Sequence, residues 1–298
     1  MDVKFHLPGL RQNFPLNMLV VSLLEQEPER FREGVKIASF FGEFPTSLWN
    51  GGRLSNYDQC DARYIRNVVK AINAKGIPVR YTYTNMLLTE EDLKDPYCNF
   101  CMKVADNGMN EVMIFSPLLE QYIRENYPSF KLNSSTCKEI RDIEAVNEEL
   151  KKDYYLVVLD YDLNHDEAAL SRLEPYASRL ELLVNEVCFP GCPRRTEHYL
   201  QQSRLQLEYD VTTGFPCPNN TRERTFAECM ERPAFISNEE IAGYIDRGYV
   251  NFKIVGRGMP QEFVMESYLY FLVKDEERAF IRERMNASLR QARAAMRK

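Results

Sequence analysis

The chain has 298 residues, of which 44% are hydrophobic and 28% are charged, and its formal net charge at pH 7 is −6. This composition is typical of a globular protein that is long enough to bury a full core without disulfide support. The acidic balance argues against a broad nucleic-acid interface, which needs a basic face. The apolar run at residues 18–24 is too short to span a bilayer and no segment resembles a signal peptide, so we expect a cytoplasmic protein.

Short apolar runs alternate with amphipathic segments along the chain. Continuous apolar runs such as residues 155–159 are typical of strands that are buried on both faces of a parallel sheet. We predict eight strands, of which the seventh is the weakest, at residues 35–41, 78–84, 111–115, 130–132, 154–159, 180–184, 205–209 and 251–255.

The segments between these strands have helical periodicity and capping signals. One apolar stripe covers residues 62–72 and a second covers 140–146. Capping patterns begin at Thr89 and at Ser237. The alternation of strands and helices predicts an α/β fold with a single (β/α)8 barrel of the TIM type over residues 1–298. Within this domain we expect an irregular cysteine-rich segment after strand 6, at residues 186–232, and a C-terminal helical tail at 260–298.

Polar residues follow most of the predicted strands, and in such barrels the chemistry lies at the carboxyl ends of the strands. Polar residues are also common in ordinary turns. An arginine between two glycines, as at Arg257, suits a bidentate contact with a carboxylate or phosphate. Our candidates for proton transfer are Glu43 and Glu186, and our candidates for substrate binding are Asn85, Ser134, Asp160, Asn185 and Arg257.

Four cysteines lie in the Pro- and Arg-rich segment after the sixth predicted strand: Cys188, Cys192, Cys217 and Cys229. Disulfides are rare in a reducing cytoplasm, so metal binding is the first explanation for these thiols. Four thiolates suit either tetrahedral zinc or an iron–sulfur cluster, and their spacing is not that of a zinc ribbon. The alternative is four buried free cysteines.

Other residues with chemical potential have weaker sequence contexts. His198, which follows the second of these cysteines, is a candidate proton shuttle or a structural histidine. Cys60 is a reserve metal ligand, and Cys98 with Cys101 forms a C-x₂-C pair for redox chemistry, metal ligation or core packing. The basic run at residues 278–298 predicts either a solvated helix end or a contact with RNA or a partner protein.

Several short motifs recur in a fixed order between about residue 36 and about residue 275. They are YTYTN at 81–85 with LLTEE at 87–91, NSST at 133–136, LLVNEVC at 182–188, CPRR at 192–195 and DRGYVNFKIVGR at 246–257. Their order and spacing resemble those of the collagenase-like peptidase family of unknown catalytic type. That family includes the UbiU/UbiV-like iron–sulfur proteins of oxygen-independent ubiquinone hydroxylation and RNA hydroxylation proteins.

The resemblance implies a barrel, a cysteine-bound 4Fe-4S cluster and, in at least some members, hydroxylation without dioxygen. For the RNA-modifying members it implies prephenate as the oxygen donor. We therefore expect oxygen-independent hydroxylation of an aromatic or nucleobase-type substrate with a small carboxylate cosubstrate, which Arg257 would hold.

Two alternative functions are a peptidase-like hydrolase and a non-catalytic cluster-binding subunit. The sequence contains no convincing catalytic triad and no H-E-x-x-H motif. Because UbiU and UbiV act as a pair, the expected partner is a related family member in a heterodimer or a second copy in a homodimer.

Overall fold

A computed structural model describes residues 2–52, 59–210, 212–217 and 224–296. Eight parallel strands form a closed barrel in chain order, and β1 completes the ring by pairing with both β2 and β8. The predicted (β/α)8 class is confirmed. The strands are β1 Val3–Pro8, β2 Val35–Gly42, β3 Val79–Tyr83, β4 Glu111–Ile114, β5 Lys131–Ser134, β6 Leu156–Val158, β7 Leu180–Leu183 and β8 Asn251–Lys253.

The helices surround this barrel. Each of the first six follows the strand of the same number, three lie between β7 and β8, and two follow β8. The last helix, α11, packs against α1 and α10. The α-helices of the described residues are α1 Phe14–Gln26, α2 Ala62–Asn73, α3 Pro96–Ala105, α4 Pro117–Asn126, α5 Ile143–Lys151, α6 Glu167–Leu173, α7 Arg195–Glu208, α8 Phe226–Met230, α9 Asn238–Asp246, α10 Gln261–Leu272 and α11 Arg278–Met296. Among the residues that the structure describes, no helix is long and apolar enough to cross a membrane.

Local signals account for most helix boundaries. The stripe of α2 faces the core, and the Asp61 side chain caps the helix by accepting a hydrogen bond from the Tyr64 amide. The capping box at Ser237 is present, with Glu240 as its reciprocal partner. The capping pattern at Thr89 was a wrong prediction of a helix start. Its acid, Asp92, begins a 3₁₀ turn, and α3 begins only after the N-cap residue Asp95.

Two strand assignments differ from the prediction. We did not predict β1, because its polar residues Lys4 and His6 interrupt the apolar run, yet His6 is buried inside the barrel. The predicted strand at 205–209 is wrong, since residues 205–208 form the last turn of α7 and Tyr209 ends that helix in a left-handed conformation. Because one strand was missed and one was wrongly assigned, the predicted total of eight strands is still correct. The cysteine-rich segment therefore follows β7, and not a sixth strand.

The segment 186–232 was predicted to be irregular, and this prediction is wrong for α7 and α8. The sequence of α7 consists largely of good helix formers, and three of its polar side chains are buried: Arg195, Ser203 and Gln206. Residues 211 and 218–223 of the segment lie outside the described part of the chain.

Candidate functional site

Helix α7 crosses the carboxyl-terminal mouth of the barrel. Its first residue, Arg195, bonds to Asp160 directly after β6. Near its other end, α7 bonds to the loops that follow β3 and β2. Asn85 Nδ2, in the loop after β3, donates to the Ser203 carbonyl at 3.1 Å. Gln206 Nε2 donates at 3.0 Å to the carbonyl of Ser47, in the loop after β2. Strand β6 lies on the far side of the barrel from β2 and β3, so the helix spans the opening.

The close approach of α7 explains a glycine in the loop that follows β2. Gly52 has a φ of +99°, and a Cβ atom there would lie 2.4 Å from the Cβ atom of Gln202 on α7. A side chain at this position would force the helix away from the mouth.

An arginine–aspartate cluster anchors the start of α7. Arg195 Nη1 lies 2.7 Å from both carboxylate oxygens of Asp160, and Nη2 also bonds to Asp162. The guanidinium is 3.9 Å from the centre of the Tyr161 ring. Burial disfavours the charged guanidinium, but the Asp160 hydrogen bonds together with the charges of Asp160 and neighbouring tyrosines outweigh this effect and raise the pKa of Arg195. Asp160, a predicted substrate-binding residue, thus already binds a side chain of the protein.

Arg257 and Glu43, which were assigned separate roles, form an ion pair at the mouth. Arg257 Nη1 lies 2.6 Å from Glu43 Oε2 and 2.7 Å from Thr82 Oγ1, and Thr82 Oγ1 donates to Glu43 Oε2 at 2.9 Å. Their side chains are 18% and 14% exposed. Because Arg257 already has a carboxylate partner, an anionic ligand must compete with Glu43 for it.

The first glycine beside Arg257 has a packing role. A Cβ atom at Gly256 would lie 2.8 Å from Pro8 Cγ and 2.9 Å from Val264 Cγ2. The glycine therefore allows the chain to leave β8 close to β1 and α10, and it does not by itself indicate a ligand.

The other three predicted substrate-binding residues, Asn185, Asn85 and Ser134, are also bonded within the protein. Asn185 is fully buried, accepts from the Val255 amide at 2.6 Å and donates to the Val255 carbonyl at 2.9 Å. Asn85 donates to two backbone carbonyls, one of them on α7. Ser134 bonds to Glu149 on α5, so its hydroxyl faces the helix layer and not the mouth.

The loop that follows β7 is held by strand-end residues. Glu186 Oε1 accepts from the amides of Val187 at 2.9 Å and Cys188 at 3.0 Å. Asp162 Oδ2 accepts from the amide of Gly191 at 3.0 Å. These hydrogen bonds hold the loop on both sides of Cys188. The carboxylate of Glu186, which was predicted to transfer protons, binds backbone amides of this loop.

The four cysteines lie along this side of the mouth. Cys188, Cys192 and Cys217 are partly exposed, whereas Cys229 is buried and donates its thiol to the Asn185 carbonyl at 3.2 Å. Burial raises the pKa of Cys188, and it raises the pKa of Cys229 to about 12.

The four cysteines suit a metal or cluster by their chemistry but not by their arrangement in this structure. Thiolates are the usual ligands of zinc and of iron–sulfur clusters, so four cysteines in one segment are a suitable donor set. The side chains of the described residues, however, include no group of three or more His, Cys, Asp or Glu that is arranged to hold a metal ion. The chemistry of the donors therefore fits a metal or cluster, but the described side chains are not gathered around one point, and the thiol of Cys229 donates to a backbone carbonyl.

His198 is stacked beside the third cysteine of the segment. Its ring is nearly parallel to that of Phe215, with centroids 4.4 Å apart and an interplanar angle of 10°. The guanidinium of Arg194 lies 4.5 Å from the same ring, and Arg194 Nη1 donates to the Pro216 carbonyl at 2.8 Å. Phe215 therefore links α7 to the loop that carries Cys217.

The remaining cysteines are distributed around α2, α3 and β5. Cys98 and Cys101 are fully buried on α3, and burial raises the pKa of both. Cys60 accepts a hydrogen bond from Arg11 Nη1 at 3.3 Å. Cys137 lies in a 3₁₀ turn after β5, where its amide donates to Ser135 Oγ.

The barrel interior contains a charged network that we did not predict. Arg80 Nε lies 2.7 Å from Glu111 Oε2, and Arg80 also bonds to Glu181. Lys253 and His6 complete the group, at 3.7 Å and 3.3 Å from oxygens of Glu181. All are buried. The sequence signal for this network is a single charged residue within each of several apolar strand runs.

Ser39, His6 and Glu181 are aligned in the order of a catalytic triad. His6 Nδ1 is 2.7 Å from Ser39 Oγ, and His6 Nε2 is 3.3 Å from Glu181 Oε2. Burial and the nearby Arg80 lower the pKa of His6 to about 3, which makes it a weak base. Since Ser39 is fully buried as well, this alignment does not present a nucleophile to a peptide.

The basic C-terminal run is paired with acids. Arg278, Arg282 and Arg284 form ion pairs with Asp275, Glu266 and Glu27. These three pairs reduce the positive charge of a run that was predicted to be either a solvated helix end or an RNA or partner contact. Residues 297 and 298 of the run lie outside the described part of the chain.

Comparison with known proteins shows a likeness in fold. No protein-family model matches the chain, and no curated protein matches it. Among solved structures, it is similar to that of the U32 peptidase Mk0906, with a TM-score of 0.53 and 15% sequence identity. The alignment covers 87% of this chain and 94% of the other. At this identity the likeness shows a shared fold.

Proposed function

We propose that this chain is a cytoplasmic iron–sulfur protein of the collagenase-like peptidase family, which takes part in oxygen-independent hydroxylation of an aromatic or nucleobase-type substrate. Cys188, Cys192, Cys217 and Cys229 would hold a 4Fe-4S cluster. Such a cluster supplies one-electron transfer or Lewis acidity. The partner would be a related family member in a heterodimer, or a second copy of this chain.

The observation that carries the proposal is the bracing of the cysteine loops. The amide of Cys188 is bound by Glu186, and the amide of Gly191, next to Cys192, is bound by Asp162. The Pro216 carbonyl, next to Cys217, accepts from Arg194. Supporting contacts of this kind orient ligands in metal sites, and they place the loops at the end of the barrel where ligands bind.

The residues at the mouth supply the other parts of the proposed reaction. Arg257 would bind a small carboxylate such as prephenate in exchange for Glu43, and the released Glu43 carboxylate would accept or donate a proton. His198 would shuttle protons beside Cys217. Helix α7 would exclude water from the opening that it crosses.

The experiment is anaerobic purification followed by ultraviolet–visible spectroscopy with iron and sulfide determination. We expect a brown protein with absorption near ~400 nm from thiolate-to-iron charge transfer. Alanine at Cys188, Cys192, Cys217 or Cys229 should remove this absorption, and Cys98→Ala is the matched control that should keep it. A colourless protein with stoichiometric zinc would contradict the proposal.

A further inference from the structure

One lysine of the barrel interior lies just below the Arg257–Glu43 pair. Lys253 is on β8, and its side chain is 6% exposed. The ring of Phe41 lies beside both cations, with its centroid 4.4 Å from Lys253 Nζ and 5.8 Å from Arg257 Cζ. The amine therefore points toward the mouth, at the level where β2 ends.

Among the described residues, no carboxylate oxygen lies within hydrogen-bonding distance of the Lys253 amine. Its nearest carboxylate oxygen, Glu181 Oε1, is 3.7 Å away, which is beyond hydrogen-bonding distance. Its hydrogen-bonding contact is the thioether of Met113, with the sulfur 3.3 Å away, and thioethers are weak acceptors. Burial lowers the pKa of Lys253 to about 8, and the charges of Arg80 and Arg257 also disfavour the ammonium form.

The interior around this amine contains polar atoms without partners. Glu181 Oε1, Asn133 Oδ1 and Arg80 Nη2 are buried and have no hydrogen bond within the described residues. Buried polar groups of this kind are usually satisfied by water or by a ligand. The centre of the barrel thus contains unsatisfied donors and acceptors in the same network as a desolvated amine.

We infer that Lys253 is the nucleophile of a carbonyl-binding site and forms an imine with a small 2-oxo carboxylic acid. The carboxylate would compete with Glu43 for Arg257, which places the adjacent carbonyl carbon toward Lys253. The neutral amine attacks this carbon, a C–N bond forms, and the carbonyl π electrons move to oxygen. Loss of that oxygen with two protons as water leaves the imine. The site needs no metal, oxidant or reductant, so it goes beyond the proposed hydroxylation function.

Reductive trapping tests this inference on the full-length protein. Glyoxylate and sodium cyanoborohydride convert an imine into a carboxymethylated amine, which peptide mass spectrometry locates. We expect Lys253 to be modified at least about 10-fold faster than Lys138 near neutral pH, because a carboxylate hydrogen bond holds the amine of Lys138, whereas the nearest carboxylate oxygen to Lys253 Nζ is 3.7 Å away. Lys138 is the matched control within the same sample, since it is also partly buried but donates to Glu149 and Tyr154.

Two further measurements keep the result interpretable. Lys253→Arg preserves the buried charge and should abolish the fast modification without raising the rate at Lys138. Propanal lacks the carboxylate and should modify Lys253 at least about 5-fold more slowly than glyoxylate, because it cannot bind Arg257. Absence of modification at Lys253 in the folded wild-type protein, or a rate equal to that of Lys138, would overturn the inference. Neither outcome depends on whether the protein contains iron.

Discussion

Replacing Arg195 by methionine tests the anchor between α7 and the barrel. Arg195 is 2% exposed and binds both carboxylate oxygens of Asp160, whose side chain is fully buried. Methionine keeps an unbranched side chain of similar length but removes the charge. The variant would therefore leave the carboxylate of Asp160 buried without its closest cation, with only the more distant Arg141 at 3.6 Å.

The size of the effect follows from this burial. Removing one partner of a buried ion pair costs about 3–5 kcal/mol of the free energy of unfolding, because an uncompensated charge is left behind. With an unfolding entropy of about 2.1 cal/mol/K per residue, the expected decrease in Tm is about 5–8 °C. The neighbouring Arg194 is 37% exposed and pairs with Glu197, which is 62% exposed. Arg194→Met is thus the matched control; it loses an exposed ion pair and its contacts with residues 215 and 216, so its Tm should fall much less than that of Arg195→Met.

Differential scanning calorimetry of four proteins provides the decisive comparison: wild type, Arg195→Met, Asp160→Asn and the double variant. The double variant removes both charges, so its destabilisation should be smaller than the sum of the two single losses. Arg195→Met should also speed limited proteolysis within residues 186–232. Equal Tm values for Arg195→Met and Arg194→Met, or strict additivity in the double variant, would refute this account of the anchor.

Three other perturbations have defined outcomes. Asn185→Ala removes hydrogen bonds between β7, the exit of β8 and α10, so urea denaturation should show a loss of about 2–3 kcal/mol; an unchanged midpoint would contradict this bracing role. Folded His6 has a pKa lowered to about 3, whereas an unfolded histidine takes up a proton below its ordinary value of 6.5. The unfolded state therefore binds more protons in this interval, and Tm should fall as the pH decreases from 6.5 toward 3. The part of this slope due to His6 should disappear in His6→Asn; an identical slope in that variant would assign it to other groups. Glu43→Gln removes the carboxylate that competes for Arg257, so calorimetric titration with glyoxylate should show at least about 5-fold tighter binding. Equal affinities would argue against an anion site at Arg257.

The sequence by itself determined the fold class and the position of most elements. Alternating apolar runs and helical stripes depend on spacings of two to four residues, which can be read directly along the chain. The stripe of α2 and the capping box at Ser237 are examples. The same local reading failed where a strand carries polar residues toward the barrel interior, as in β1, and where a short alternation lies within a helix, as at the end of α7.

Only the tertiary structure decided which polar side chains are available at the mouth. Arg257 and Glu43 are far apart in sequence, and they meet because the closed barrel brings the ends of β2 and β8 to one opening. Ring closure likewise gathers Arg80, Glu181 and Lys253 into one buried network. Because a hydrogen bond depends on distance in space, a strand-end residue read as a ligand-binding group was often already bound to a residue on a distant strand or helix.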